Sequence, residues 1–302
     1  MISYKKYSII VMLKVFKHAK EGKITVMKEY LNITSDQERA LYGISDALVK
    51  NCVFVGEADG ESALKETYGL KVEFCDFHLR YPMWHMSDSI IEGCTLTETC
   101  RAPLWYDKNL KIFETKINGT KAVRECDNTY IGGCEVNSEE FGWLCRGLKW
   151  IEGKLSSSYP FFMSKNLYIS DFELTGKYSF QYVEDSKISD SVLNTKDAFW
   201  HSKNVKVVNS VLKGEYLGWY SENLHLVRCK IIGTQPFCYC KGLVLENCEM
   251  IDTDLAFENS EVQAELYSSV QSIKNPKSGR IRAVSYGDIV LDAPTECEIL
   301  TV

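Results

Sequence analysis

With 302 residues, the chain has room for two ordinary domains or one extended repeat, and 35 Lys and Arg against 41 Asp and Glu leave a formal charge of −6. No segment is strongly basic, which argues against duplex nucleic acid as a partner, and no apolar run reaches the roughly 20 residues of a membrane span. Twelve cysteines in a chain without a convincing export signal point to reduced, structural thiols in a cytoplasmic setting.

Residues 1–26 differ from the rest. Ile9, Ile10, Met12, Leu13 and Phe16 fall at near-helical spacing among Lys5, Lys6, Lys14 and Lys17, and no small-residue cleavage site comes after them. The segment reads as an amphipathic N-terminal extension, either a cap over the first coil of a repeat domain or a dispensable leader. A single domain spans residues 27–302. It is entered through Tyr30, Ile33, Leu41 and Ile44, with an enlarged loop around Gly56, Asp59 and Gly60.

The middle of the chain repeats every nineteen residues. The pattern apolar-x-apolar-x-x-small-x-apolar falls on Leu148, Trp150, Gly153 and Leu155, and again on Leu167, Ile169, Phe172 and Leu174. It continues forward to Leu243, Leu245, Cys248 and Met250, and back, with two longer steps, to Ala47, Val49, Cys52 and Phe54. A period this short cannot hold two packed helices, whereas it suits short strands stacked coil on coil. The expected fold is all-β: a right-handed, single-stranded parallel β-helix of about ten coils.

Two further columns support the winding. Gly69, Asp88, Asn109, Asn128, Gly147, Asn166, Asp185, Asn204, Asn223 and Gly242 recur at one place in each unit. These residue types enter the left-handed region at least cost, so one tight corner with positive φ is expected in every coil. The small column Cys75, Cys94, Thr115, Cys134, Gly153, Ser191, Ser210, Cys229 and Cys248 should stack inside, interrupted by Phe172. After Met250 the order weakens, leaving a last strand pair in 284–291 and a ragged end from Pro294 to Val302.

Seven residues after the pattern stands a column with Lys65, Trp84, Trp105, Arg124, Trp143, Phe162, Gln181, Trp200, Trp219, Cys238 and Phe257. The residue before each is mostly apolar, so alternation turns the Trp column outward as a wall that could stack on sugar rings or pack a partner. A parity error of one residue would make it core. The next column holds Glu66, His85, Tyr106, Glu125, Tyr182, His201, Tyr220, Tyr239 and Glu258. With Arg80, Arg101, Arg124 and Asp107 it gathers ionisable groups over four neighbouring coils, within reach of one small ligand. Such a cluster is either a structural charge ladder or an acid-base site in which His85 works with Glu66, Asp107 or Glu125. A second, weaker cluster comprises Asp197, Trp200, His201, Glu215, Trp219 and Tyr220. Cys238-x-Cys240 lacks a second pair at zinc spacing, so neither metal nor cofactor is expected.

The runs DGESALKE at 59–66, LRYPMWH at 79–85, TETCRAPLWYD at 97–107, AVRECDN at 122–128, EFGW at 140–143 and GEYLGWYSEN at 214–223 resemble an uncharacterised bacterial family, the domain-of-unknown-function 3737 family. The resemblance spans Met27 to about Leu291. It implies a pectin-lyase-like right-handed β-helix and no established reaction. That superfamily includes polysaccharide lyases and glycoside hydrolases, which favours a carbohydrate ligand. The acidic motifs of polygalacturonase-like relatives are absent, and no acidic trio for calcium accompanies the arginines.

Two functions are compatible with these features. In the first, Trp84, Trp105, Trp143, Trp200 and Trp219, with His201 and Tyr220, form a carbohydrate-binding wall where Arg80, Arg101 and Arg124 pair with carboxylates. Such a protein could be a lyase or a hydrolase. In the second, the same wall is a non-enzymatic scaffold surface or a homo-oligomer interface.

Overall fold

The computed structural model describes residues 12–13, 27–56 and 61–302. Among these residues there is no helix, and the chain winds as a parallel β-solenoid of about 14 turns. Ile112, Ile131, Trp150 and Ile169 lie directly above one another, each nineteen residues on from the last. All four side chains are buried. The period in the sequence is therefore the circumference of one coil, and parallel pairing keeps each apolar position over its copy.

The solenoid is longer than the expected ten coils because pairing outlasts the apolar pattern at both ends. Lys28–Leu31 already pairs with Ala47–Lys50. At the other end 284–291, expected to hold a last strand pair, contributes one strand, Tyr286–Val290, which lies on Val270–Lys274. Glu296–Thr301, expected to be ragged, is a strand paired along its length with Ser278–Ala283. Backbone hydrogen bonds hold this coil even though few of its side chains reach the core. Of the N-terminal extension only Met12–Leu13 are described; they form an antiparallel bridge to Glu29 and Lys28 rather than a helical turn. The remainder of that segment and the loop at 57–60 lie outside the described residues.

The expected corner is present in each of the ten coils for which it was expected. All ten of its Asn, Asp and Gly residues have φ between 49° and 67°. Side-chain amides link successive corners: Asn109 donates to Asp88 over 2.9 Å, Asn204 to Asp185 over 2.8 Å and Asn223 to Asn204 over 2.9 Å. A second left-handed bend runs through Phe74, Gly93, Glu114, Gly133, Glu152, Asp171, Asp190, Asn209, Arg228 and Asn247.

The small inner column proves to be a set of hydrogen-bonded stitches. Its side chains accept the backbone N–H of the coil below, as Cys94 Sγ does from Cys75, Thr115 Oγ1 from Cys94 and Ser210 Oγ from Ser191. Each bend leaves an inward N–H that would otherwise be unpaired, and only a small polar side chain both fits and satisfies it. The same demand accounts for Cys75, Cys94 and Cys248, each of which accepts such an N–H. All twelve cysteines are free, and eleven are buried. Phe172 can interrupt the column because Gly153 lies beneath it in the ladder and Trp150 packs on its ring at 4.8 Å between centroids.

Candidate functional site

The parity of the Trp column is as expected over most of its length. Leu64, Met83, Leu104, Val123, Phe161, Phe180, Phe199 and Phe237 are buried, whereas Trp84, Trp105, Trp143, Trp200 and Trp219 are half-buried on the outer wall. Two members depart from it, since Cys238 and Phe257 are buried. The step from Phe237 to Phe257 is twenty residues, one more than the repeat, so Phe257 takes the inward place and stacks on Phe237 at 6.1 Å.

On this wall Trp84 and Trp105 meet face on, whereas Trp143 and Phe162 are tilted by 47°. Trp84 and Trp105 are parallel, with centroids 5.2 Å apart and planes 1° from coplanar. The Arg124 guanidinium lies 5.1 Å from the Trp105 ring and 4.9 Å from Trp143, and the Lys65 ammonium lies 5.3 Å from Trp84. Each cation–π contact contributes about 0.5–1 kcal/mol when exposed and about 2 when desolvated. The Trp105 indole N–H donates to the Lys121 carbonyl over 2.8 Å, and Trp84 reaches Ala102 likewise over 2.6 Å. Stacking thus occupies the ring faces, and solvent meets mainly their edges, which weakens the case for these rings as a platform under sugars.

The column after the Trp wall forms a third left-handed corner. Glu66, His85, Tyr106, Glu125, Leu144, Met163, Tyr182, His201, Tyr220 and Tyr239 all have φ between 52° and 63°. A left-handed backbone costs non-glycine residues roughly 1–2 kcal/mol each, yet here, unlike the first corner, none is Asn, Asp or Gly. Glu66, His85 and Glu125 stand exposed on this ridge in nearby coils, and His85 stacks on Tyr106 at 5.0 Å. The expected four-coil cluster is divided among four places, one of them the Trp wall, where Arg124 lies between Trp105 and Trp143. Glu66, His85 and Glu125 share the ridge, Arg80 and Arg101 lie elsewhere on the surface, and Asp107 points inward.

Asp107 is fully buried. It follows Tyr106 in the chain, and alternation past the left-handed bend places it in the inward row continued by Cys126 and Cys145. One carboxyl oxygen accepts the Met86 N–H over 2.8 Å, and the other has no partner. Burial drives this carboxyl well above the usual carboxylate range, Cys126 alongside raises it further, and the Met86 N–H opposes them. Asp107 is thus held protonated inside the solenoid while His85 is outside.

Arg80 and Arg101 belong to a groove that runs along the solenoid axis beside the Trp wall. Its near bank is the column His78, Thr97, Asn118, Asn137, Ser156 and Thr175, in register from coil to coil. Its far bank is Arg80, Arg101, Thr120, Glu139, Ser158 and Lys177, joined by backbone bonds such as Lys121 N–H to Arg101 and Glu140 N–H to Thr120. The floor is small because successive coils touch there: a Cβ on Gly119 would lie 2.1 Å from the Cys100 carbonyl oxygen. Open cavities of about 560, 210, 390 and 420 Å³ share lining residues and follow this course. Five interstrand steps give the groove a length of about 24 Å.

Six of the groove side chains are uncommitted, whereas Thr97 donates to the Phe77 carbonyl and Arg80 is paired. Among the described residues, Asn118, Asn137, Ser156, Thr175, Thr120 and Ser158 have no side-chain hydrogen bond within the chain, in contrast to the bonded Asn row of the first corner. Arg80 pairs with Glu61 at 3.7 Å and lies over Tyr81, while Lys154 pairs with Glu173 at 3.2 Å on the near side. Both signs of charge line the groove, which therefore has no strong field of one sign.

In the second cluster, Trp200 and Trp219 lie 5.9 Å apart with planes tilted by 53°, and neither indole N–H has a hydrogen-bond partner. Burial raises the Asp197 carboxyl above its ordinary range, with Lys196 opposing and Glu215 adding to the effect. His201 stacks beside Trp200 at 5.9 Å and Tyr220 lies 6.2 Å from Trp219, while His201 and Tyr220 stack on each other along the ridge at 5.1 Å.

The chain belongs to the DUF3737 family: the model described as "Protein of unknown function (DUF3737)" matches residues 28–300. Among solved structures, PfbA, a surface adhesin of Streptococcus pneumoniae, is similar at 11% identity and a TM-score of 0.34. The match covers 78% of this chain and 62% of the adhesin. The mannuronan C-5 epimerase AlgE6 A-module of Azotobacter vinelandii is similar at 8% identity and a TM-score of 0.33, over 91% of this chain and 88% of that one. The periplasmic alginate epimerase AlgG gives 10% identity and a TM-score of 0.21, over 86% and 69%. No curated protein sequence matches the chain.

Proposed function

We propose that the protein binds a carbohydrate chain lying along the axial groove, with the Trp wall rising behind its far bank. One observation carries the reading. The near bank offers an uncommitted hydroxyl or amide at each of four successive coils, Asn118, Asn137, Ser156 and Thr175. A row of donors and acceptors every 4.8 Å or so suits a polymer whose own hydroxyls recur at every ring. Arg80 and Arg101, with His78, Thr99 and Glu98, line the cavity of about 560 Å³ at one end of the groove, where two guanidinium groups against one carboxylate favour an acidic substituent.

The reading is one of binding. Glu66, His85 and Glu125 stand on the ridge, separated from the groove by the Trp strand, so an acid-base role for them would need a second ligand position. Calorimetric titration with a panel of neutral and acidic oligosaccharides tests the proposal, comparing wild type with the variant Asn118→Ala, Asn137→Ala, Ser156→Ala, Thr175→Ala. A tenfold or greater loss of affinity, about 1.4 kcal/mol or more, is expected at unchanged melting temperature. His85→Ala should bind as wild type does. If no oligosaccharide binds, or the groove variant binds equally well, the proposal fails.

A further inference from the structure

The left-handed ridge carries an apolar row that the groove does not use. Over six successive coils it presents Leu144, Met163, Tyr182, His201, Tyr220 and Tyr239, all exposed, with Met163 at 45% and Tyr182 at 43%. The last four rings form a continuous stack. Tyr182 to His201 and His201 to Tyr220 are 5.1 Å between centroids, Tyr220 to Tyr239 is 4.9 Å, and their planes agree within 9–16°. The first corner of this solenoid makes the same left-handed turn with Asn, Asp and Gly alone, so the fold does not require large side chains at a bend. Bulky residues held in a strained backbone, in one contiguous exposed apolar row, mark a contact surface.

We propose that this row is the interface between two copies of the chain, lying side by side with their solenoids antiparallel about a two-fold axis. Three observations select a second copy as the occupant. First, a row repeating at the coil spacing meets a partner rung for rung only if the partner repeats at that same spacing, as another copy does. Second, the row is self-complementary when reversed about its midpoint: Leu144 faces Tyr239, Met163 faces Tyr220 and Tyr182 faces His201. Flexible aliphatic side chains thereby meet the ring stack, and the thioether meets an aromatic ring. Third, the charged column two residues further along each coil agrees with that register. Within each chain Lys165 pairs with Glu184 and Lys203 with Glu222, and the reversed register sets these two pairs against each other with opposite signs facing. Lys165 comes opposite Glu222 of the partner subunit and Glu184 opposite Lys203 of the partner subunit, each twice by symmetry, while the like pair Arg146 and Lys241 falls at the exposed rim.

The test combines mass, orientation and fold. Sedimentation equilibrium of the wild-type chain should give twice its 34.5 kDa. The variant Tyr182→Asn, Tyr220→Asn should sediment as a monomer. Asparagine suits the left-handed bend, so this variant should keep or raise the monomer's melting temperature and retain oligosaccharide binding in the groove, which separates this proposal from the preceding one. Carbodiimide cross-linking of an equimolar mixture of isotope-labelled and unlabelled protein should yield a Lys165–Glu222 link between a heavy and a light chain. A monomeric wild type at the highest soluble concentration, a dimer that survives both substitutions, or inter-chain links that join equivalent coils would each overturn the proposal.

Discussion

Replacement of Asp107 by Asn separates an interior role from a catalytic one. In the folded chain the carboxyl is fully buried, keeps one hydrogen bond from Met86 and is held protonated by burial. In the unfolded chain it ionises near its ordinary value of about 3.9. The folded state therefore holds more protons, and its stability falls as pH rises from that value until the folded carboxyl itself ionises. Over this window the loss is about 1.4 kcal/mol per pH unit. Asparagine has the same shape, can accept the same N–H and does not titrate, so the variant escapes the loss. Its amide leaves a buried donor unsatisfied at a cost of about 1–3 kcal/mol, but that cost is independent of pH. The melting temperature of Asp107→Asn minus that of wild type should thus rise with pH above the unfolded value, by at most about 2 °C per pH unit, taking the average unfolding entropy per residue. Thermal melts followed by circular dichroism at matched ionic strength measure this difference. A difference that stays flat with pH would show that Asp107 is ionised in the folded chain and would refute its assignment to a dry interior.

Three further substitutions test the packing. Arg124→Ala removes the cation between Trp105 and Trp143 and should cost about 1–2 kcal/mol, with a red-shifted tryptophan emission; an unchanged melting temperature and spectrum would mean that the sandwich is not formed. At the first corner, where Asn109 has φ 54°, Asn109→Gly should be nearly neutral and Asn109→Ala should lose about 1 kcal/mol or more by chemical denaturation, an order that reverses if the corner is not left-handed. Phe172→Ala opens a cavity against Trp150 over Gly153 and should cost about 3–5 kcal/mol; a loss below about 1 kcal/mol would mean the interior collapses around it.

The winding of this chain is written in repeats that physics leaves little freedom to vary. Inward positions must be apolar or small and polar, and the first corner accepts only residues that tolerate positive φ, so both columns are pure enough to read. The second bend mixes Phe74, Glu114 and Arg228 with Gly and Asn, and that mixture hides it. The third is hidden more deeply, because Tyr and His are residues from which a left-handed backbone would not be inferred. Asp107 was legible in principle. Its equivalents nineteen and thirty-eight residues on, Cys126 and Cys145, are both buried, yet its charge drew attention to the surface. The groove left no signal of its own, since exposed Asn, Ser and Thr are ordinary on any surface until the fold sets them in line.

The dependence of affinity on oligosaccharide length tests the groove most directly. A ligand lying along the axis gains contacts with each added ring until about 24 Å is filled, so affinity should climb stepwise with chain length and then level off. The quadruple groove variant should flatten that climb. Affinity that is already maximal for one or two rings, or that grows with length equally in wild type and variant, would contradict an axial groove as the binding site.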